Sequence, residues 1–165
     1  GSALFDFRTV LGNVMFPMDF LTDWSKAEKE ERARYLLDKV NVKDSEDKYP
    51  DELSGGMQKR VGIARAIALN PTFLFCDEPN SGLDPETAIV IDHLISSLTK
   101  ELGITTIMNT HDLNSIMEIG DNIGFLYKGE IIWQGDRHSI LSAECPQLRE
   151  FLCSNTLARN IIEKR

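Results

Sequence analysis

The sequence predicts an α/β fold with a mostly parallel sheet flanked by helices. Two observations predict it. Helix-period and strand-like segments alternate along the whole chain, the pattern that builds a parallel sheet through helical crossovers. The clearest strand signal, Phe73-Leu74-Phe75-Cys76, is a continuous apolar run bounded by Pro71 and Pro79 rather than an alternation. Such a run fits a strand buried on both faces.

Taken in order, residues 3–20 read as a short apolar stretch and then a helix around Thr9 to Val14 that ends near Pro17, with a loop from Asp19 to Asp23. Ser25-Lys26-Ala27-Glu28 has capping-box spacing and starts a helix that runs to about Val40. Ala33, Leu36, Leu37 and Val40 share one face of it, and the charge run Lys26 to Arg34 reads as a solvated face. Residues 41–52 are polar and loop-like. A helical pattern from Gln58 to Leu69 carries Val61, Ala64 and Ala68, with Ile63 and Ile67 beside them, and Asn70-Pro71 stops it. The strand ending in Cys76-Asp77-Glu78 follows, then a turn, Asn80 to Pro85, that opens the next helix. Ile89, Ile91, Leu94, Ile95, Leu98 and Leu102 form that helix's apolar side, and Gly103 is its C-cap. Strands are expected at Ile104 to Asn109 and at Asn122 to Tyr127, the latter turning at Lys128-Gly129 into a hairpin arm, Glu130 to Gln134. A short helix with Leu113, Ile116 and Met117 lies between them, and short amphipathic segments run from Arg137 onward. One domain, 3–165, is expected, with a helical part at about 9–70, core strands at 71–135 and a helical tail at 136–165.

Composition narrows the function classes. At 165 residues the chain can bury a proper core, and 42% hydrophobic with 27% charged content is ordinary for a globular protein. The net charge is −8 and no basic block stands out, which argues against a nucleic-acid surface. Cys76, Cys145 and Cys153 form no C-x-x-C pair, so a disulfide framework or zinc site is not expected and a reducing compartment fits better. No apolar run approaches the ~18–20 residues of a membrane span.

Three stretches can carry chemistry. Leu53-Ser54-Gly55-Gly56-Met57 sits at a loop-to-helix junction. Glycines there leave backbone N–H groups unshielded, a helix N-terminus is partly positive, and Ser54 adds a hydroxyl, so the junction suits a phosphate. Taken alone, the same residues also fit a plain cap and turn. Asp77-Glu78 ends the first strand and Thr110-His111 the second. In an open parallel sheet, ligands bind beyond the carboxyl ends of the strands, so the two should share a rim. Asp77 can hold Mg²⁺ through water, Glu78 can orient or deprotonate a water, and His111 can donate to a phosphate oxygen. An acidic turn and a structural histidine are the alternatives. His93 and His138 read as surface residues, and Cys76 as a small buried apolar one.

The order Leu53-Ser54-Gly55-Gly56, a helix, Phe73 to Pro79, Ser81-Gly82-Leu83-Asp84 and then His111 resembles the ATP-binding subunit of ABC transporters over most of residues 3–140. The resemblance implies a P-loop NTPase-type sheet with an α-helical signature subdomain at about 9–70. It implies that Ser54, Gly55 and Gly56 belong to the signature motif, that Asp77 ends the Walker B strand as the Mg²⁺ residue, and that Glu78 is the catalytic carboxylate. Asp84 would close the D-loop and His111 would be the switch histidine. ATP and Mg²⁺ are the implied cofactors. A second ATPase subunit, as a homodimer, and separate transmembrane permease chains are the implied partners, with the protein peripheral on the cytoplasmic face of the inner membrane. Met57, where many members have Gln, and the opening Ala3 to Val14 are similar to the lipid-trafficking branch that works with MCE-domain proteins.

The departures matter equally. No stretch reads G-x-x-x-x-G-K-[ST]; Gly124 and Gly129 have the spacing, but Glu130 follows where Lys is required. The chain therefore resembles the C-terminal two-thirds of such a subunit, inactive alone, with uncovered strand edges and apolar faces that favour self-association. Two other readings compete. One is a head domain of the chromosome-maintenance and DNA-repair ATPases, disfavoured by Pro79 and the lack of heptads. The other is a regulatory protein that has kept the fold and lost catalysis.

Overall fold

Thr9 starts the first helix by accepting the Gly12 N–H on its hydroxyl at 3.1 Å. The helix, α1 (Val10–Leu21), continues through Pro17, where the sequence suggested an end. Proline removes one ladder donor, but Val10, Val14 and Met18 on the same face are fully buried, and that packing carries the helix a further turn. The expected loop at Asp19 is thus helical as far as Leu21. Asp19 itself pairs with Arg8 at 3.4 Å and Lys29 at 3.6 Å.

The computed structural model describes residues 3–154 and Arg159. They fall into two units, Gly1–Asn109 and Thr110–Arg165. After α1 the first unit contains α2 (Lys26–Lys39), a 3-10 turn at Pro50–Glu52, α3 (Gly55–Ala66), β1 (Phe73–Asp77), α4 (Pro85–Leu102) and β2 (Thr105–Asn109). The capping box is formed: Ser25 Oγ accepts the Glu28 N–H, and Glu28 accepts the Ser25 N–H at 2.7 Å. The charge run that follows is not wholly solvated. Arg32 turns inward and donates to Ala68 O at 3.3 Å, Ile67 O at 3.4 Å and Asn70 Oδ1 at 2.5 Å. The end of α3 has carbonyls that need such donors.

Ala33, Leu36, Leu37 and Val40 from α2 meet Val61, Ala64, Ile67 and Ala68 from α3 in a core that α1 and the inner face of α4 complete. Each fully buried Leu or Ile there contributes about 1.5–3 kcal/mol of transfer free energy. Asn13, Ser45, Asn80 and Asp92 are polar residues buried within the unit, and Arg65 is half-buried. Asn13 accepts the Phe5 N–H at 2.8 Å and donates to Phe5 O and Arg8 O at 3.1 Å each, which pins the opening segment to α1. Arg65 of α3 donates to Ala3 O at 2.9 Å and stacks over the Phe5 ring. Asp92, on the buried side of α4, accepts from Asn80 at 3.3 Å on both oxygens. Ile89, expected on the apolar side, is instead 49% exposed.

β1 and β2 pair in parallel, with Phe73 opposite Thr105 and Asp77 opposite Asn109. One face carries Leu74, Cys76 and Met108 against the core. On the other, Phe73, Phe75 and Ile107 are 55%, 72% and 50% exposed. The expectation that β1 is buried on both faces is corrected here. Among the described residues only one face of this two-stranded sheet is covered, by helices, and alternate side chains point away from them. Burial raises the Cys76 thiol pKa to about 11, as befits a packing residue.

The second unit has α5 (Leu113–Ile119), β3 (Ile123–Tyr127), β4 (Glu130–Gly135), a 3-10 turn at Ile140–Ser142 and α6 (Pro146–Cys153). β3 and β4 form the expected antiparallel hairpin. Lys128 and Gly129 both have positive φ, +50° and +88°, the combination a tight two-residue hairpin turn requires. Ile140, Ala143, Leu148 and Leu152 are the buried centre of this unit's own core, with Phe125, Trp133 and Phe151 packed on it. The end of the expected helical tail, residues 155–158 and 160–165, lies outside the described residues.

Candidate functional site

The Gly-Gly stretch is the first turn of α3, not a loop leading into it. Ser54 is the N-cap and accepts the Met57 N–H at 3.3 Å. The capping reading of Ser54 is therefore realised, and its hydroxyl remains exposed. Gln58, one turn on, ties down the preceding segment by donating to Pro50 O at 2.8 Å. The two glycines differ. A Cβ on Gly55 would make ordinary contact with Leu83, at 3.6 Å. A Cβ on Gly56 would lie 2.7 Å from Thr87 Cγ2, so only glycine allows the helix to pack on the start of α4. Thr87 is held there by Asp84, the N-cap of α4, which accepts its hydroxyl at 2.6 Å and its N–H at 3.0 Å. Those two donors keep the exposed Asp84 carboxyl below the ordinary aspartate range.

The register places the last residues of β1 and β2 side by side, so Asp77 and Asn109 share one edge. Asn109 Nδ2 donates to Asp77 Oδ1 at 2.8 Å, which orients the exposed carboxylate. Glu78, half-buried, takes φ +46°, a left-handed conformation uncommon outside glycine. Its N–H donates to Asn109 O at 2.9 Å. Its carbonyl accepts from Ser81 N at 3.2 Å and from Lys59 Nζ at 3.3 Å. The chain then turns back through Ser81-Gly82-Leu83, with Gly82 at φ +77°.

These pieces enclose a cleft of about 410 Å³ lined by Gly55, Gln58, Lys59, Asp77, Glu78, Ser81, Gly82 and Leu83. The structure thus brings Gly55, Asp77 and Glu78 to one cavity. Ser54, Gly56 and Asp84 are not among its lining residues. Ser54 and Asp84 cap the two helices beside it, and Gly56 sets their approach. His111 is exposed and belongs to the second unit, two residues beyond the end of β2, where the neighbouring Asp112 caps α5 through the Asn114 N–H at 2.8 Å.

Asp77 fits the part of a single Mg²⁺ ligand, since such ions keep several waters and take only one or two carboxylates. No group of three or more His, Cys, Asp or Glu with metal-binding geometry occurs among the described residues, so phosphate oxygens and water would complete the shell. The open N-terminal turn of α3 fits a phosphate. Sequence reading missed Lys59, Asn109 and Gln58 as residues of this site. Lys59 carries a usable signal: it stands four residues after Gly55 on one helix, and so on the same face.

Residues 2–81 match the protein-family model described as ABC transporter. The methionine import ATP-binding protein MetN of Corynebacterium efficiens is 40% identical over 139 residues, covering 84% of this chain and 38% of the relative. MetN of Carboxydothermus hydrogenoformans is 42% identical over 132 residues, covering 80% and 39%. The chain thus spans about two fifths of the length of the curated relatives it matches. A solved structure of the ATP-binding cassette MJ0796, a dimer bound to ADP and Pi, superposes with a TM-score of 0.72 at 33% identity, over 82% of this chain and 60% of that one. Over the part that it spans, this chain is similar in sequence to ABC transporter ATP-binding proteins and in fold to a solved ATP-binding cassette.

Proposed function

We propose that this chain is part of the ATP-hydrolysing subunit that powers an ABC transporter. The observation that carries the reading is the cleft in which the start of α3 meets the Asp77-Glu78 strand end. In this reading Glu78 would orient a water and accept its proton, and Asp77 would hold Mg²⁺ through water. Mg-ATP, when bound, supplies the phosphoryl group and the cation that offsets its charge. Ser54, Gly55 and Gly56 offer N–H and hydroxyl groups to a γ-phosphate held by a second subunit, Asp84 fixes the turn between the two helices, and His111 offers a hydrogen bond to a phosphate oxygen. The dimeric cassette structures support this arrangement of partners. The sequence holds no phosphate-binding G-x-x-x-x-G-K-[ST] loop, so the 165-residue chain is expected to be inactive alone.

Among the described residues no helix is long and apolar enough to cross a membrane, which fits a peripheral subunit on the cytoplasmic face working with separate permease chains. The lipid-trafficking branch draws no support from the relatives, whose printed function is methionine import. The cleft residues address phosphate rather than cargo, so choice of cargo belongs to the permease. The relatives favour neither the DNA-repair head nor the regulatory reading.

The test is ATP turnover by the whole subunit that carries this sequence. Glu78→Gln should lower kcat by roughly 10²–10⁴-fold while nucleotide still binds. Undiminished turnover would remove Glu78 from its role, and turnover by the isolated 165-residue chain would show that a phosphate loop is not needed.

A further inference from the structure

Glu78 is a strained point at the rim of the cleft. Non-glycine residues in the left-handed region persist only where their surroundings over-determine them. Two of its tethers are backbone bonds, Glu78 N–H to Asn109 O at 2.9 Å and Ser81 N–H to Glu78 O at 3.2 Å. Another comes from a side chain on a different element: Lys59 Nζ of α3 donates to Glu78 O at 3.3 Å. Lys59 lies one turn beyond Gly55 on the same helix face and is the single cation among the cleft's lining residues.

We propose that Lys59 is a positioning residue for Glu78: its ammonium, reaching from the helix that Ser54 caps to the carbonyl of Glu78, fixes the left-handed turn and so the direction in which the carboxylate side chain leaves the backbone. The tether joins the phosphate-facing helix to the carboxylate strand end within one subunit. Movement of α3 is passed to Glu78 through it. The purpose of holding the carboxylate rests on the ATPase reading; the tether itself rests on geometry alone.

The experiment compares unmodified chain, Lys59→Met, which keeps length and loses the donor, and Lys59→Arg, which keeps a donor. Backbone amide exchange is followed by NMR without nucleotide. The Ser81 N–H should exchange roughly tenfold faster in Lys59→Met, with the α2 amides unchanged, and return towards the original rate in Lys59→Arg. An unmoved Ser81 rate in Lys59→Met overturns the tether, and so does an equally raised rate in Lys59→Arg, which would make the effect one of packing. In the whole subunit, Lys59→Met should lower kcat roughly tenfold with the KM for ATP kept. An unchanged kcat overturns the positioning role. If the unmodified whole subunit shows no turnover, the ATPase reading fails instead, and the exchange data, read without nucleotide, tell the two failures apart.

Discussion

The helices and the sheet of the first unit both carry large apolar side chains, and these end in different states. Met18, Leu37 and Ile67 are fully buried between α1, α2 and α3, whereas Phe73, Phe75 and Ile107 on β1 and β2 keep half or more of their surface in solvent. A helix completes its own hydrogen bonds and needs cover on one stripe only. A strand in a parallel sheet needs neighbours along both edges and layers over both faces. The inner stripes of α1, α2 and α3 cover one another, although Phe20 and Leu21 at the end of α1 stay exposed, whereas the outer face of the strand pair is open among the described residues. The site lies where these two regions meet, with α3 contributing from the first and the Asp77-Glu78 end from the second.

That contrast can be broken at three places. The largest effect is expected at Leu37→Ala, which opens a cavity in the helical core. Denaturant unfolding should show a loss of about 2–5 kcal/mol. Next is Gly56→Ala, at the junction of the two regions. Its new Cβ meets Thr87, a β-branched side chain already held by Asp84, so neither partner yields easily. Overpacking of this kind costs about 1–3 kcal/mol, and Gly55→Ala, with only ordinary contact to Leu83, is the control that should cost less. The smallest change in stability is expected at Phe75→Lys, within about 0.5 kcal/mol, because the ring is already in solvent. Its effect should appear in association: light scattering of the unmodified chain should show self-association through the uncovered face, and Phe75→Lys should reduce it. A unmodified chain that is monomeric at all concentrations would mean that the uncovered face carries no association.

Much of the fold was legible because local chemistry dictated it. The Ser25 capping box, the Gly103 C-cap and the Lys128-Gly129 turn are each written in a few adjacent residues, and each is formed. α1 ran past Pro17 because buried Met18 outweighed one missing donor. β1 differed because a continuous apolar run reports what could be buried, not what is. At the site, Gly55, Asp77 and Glu78 were legible as residue types in order, and the cleft joins them. Lys59, Asn109 and Asp92 were not, because a lysine, an asparagine and an aspartate within regular elements look like surface until a partner distant in sequence is placed beside them.

By itself the sequence determined the alternation of helix and strand, the helix caps, the hairpin turn and the resemblance to an ABC transporter ATP-binding domain. All of these depend on residues within a few positions of one another or on motif order. Only the tertiary structure decided that Gly56 is held by Thr87, that Lys59 reaches Glu78, that Asn80 and Asp92 meet in the interior, and that one face of β1 stays open. Each of those is a contact between elements, and contact across the chain is set by packing and register, which no local pattern encodes.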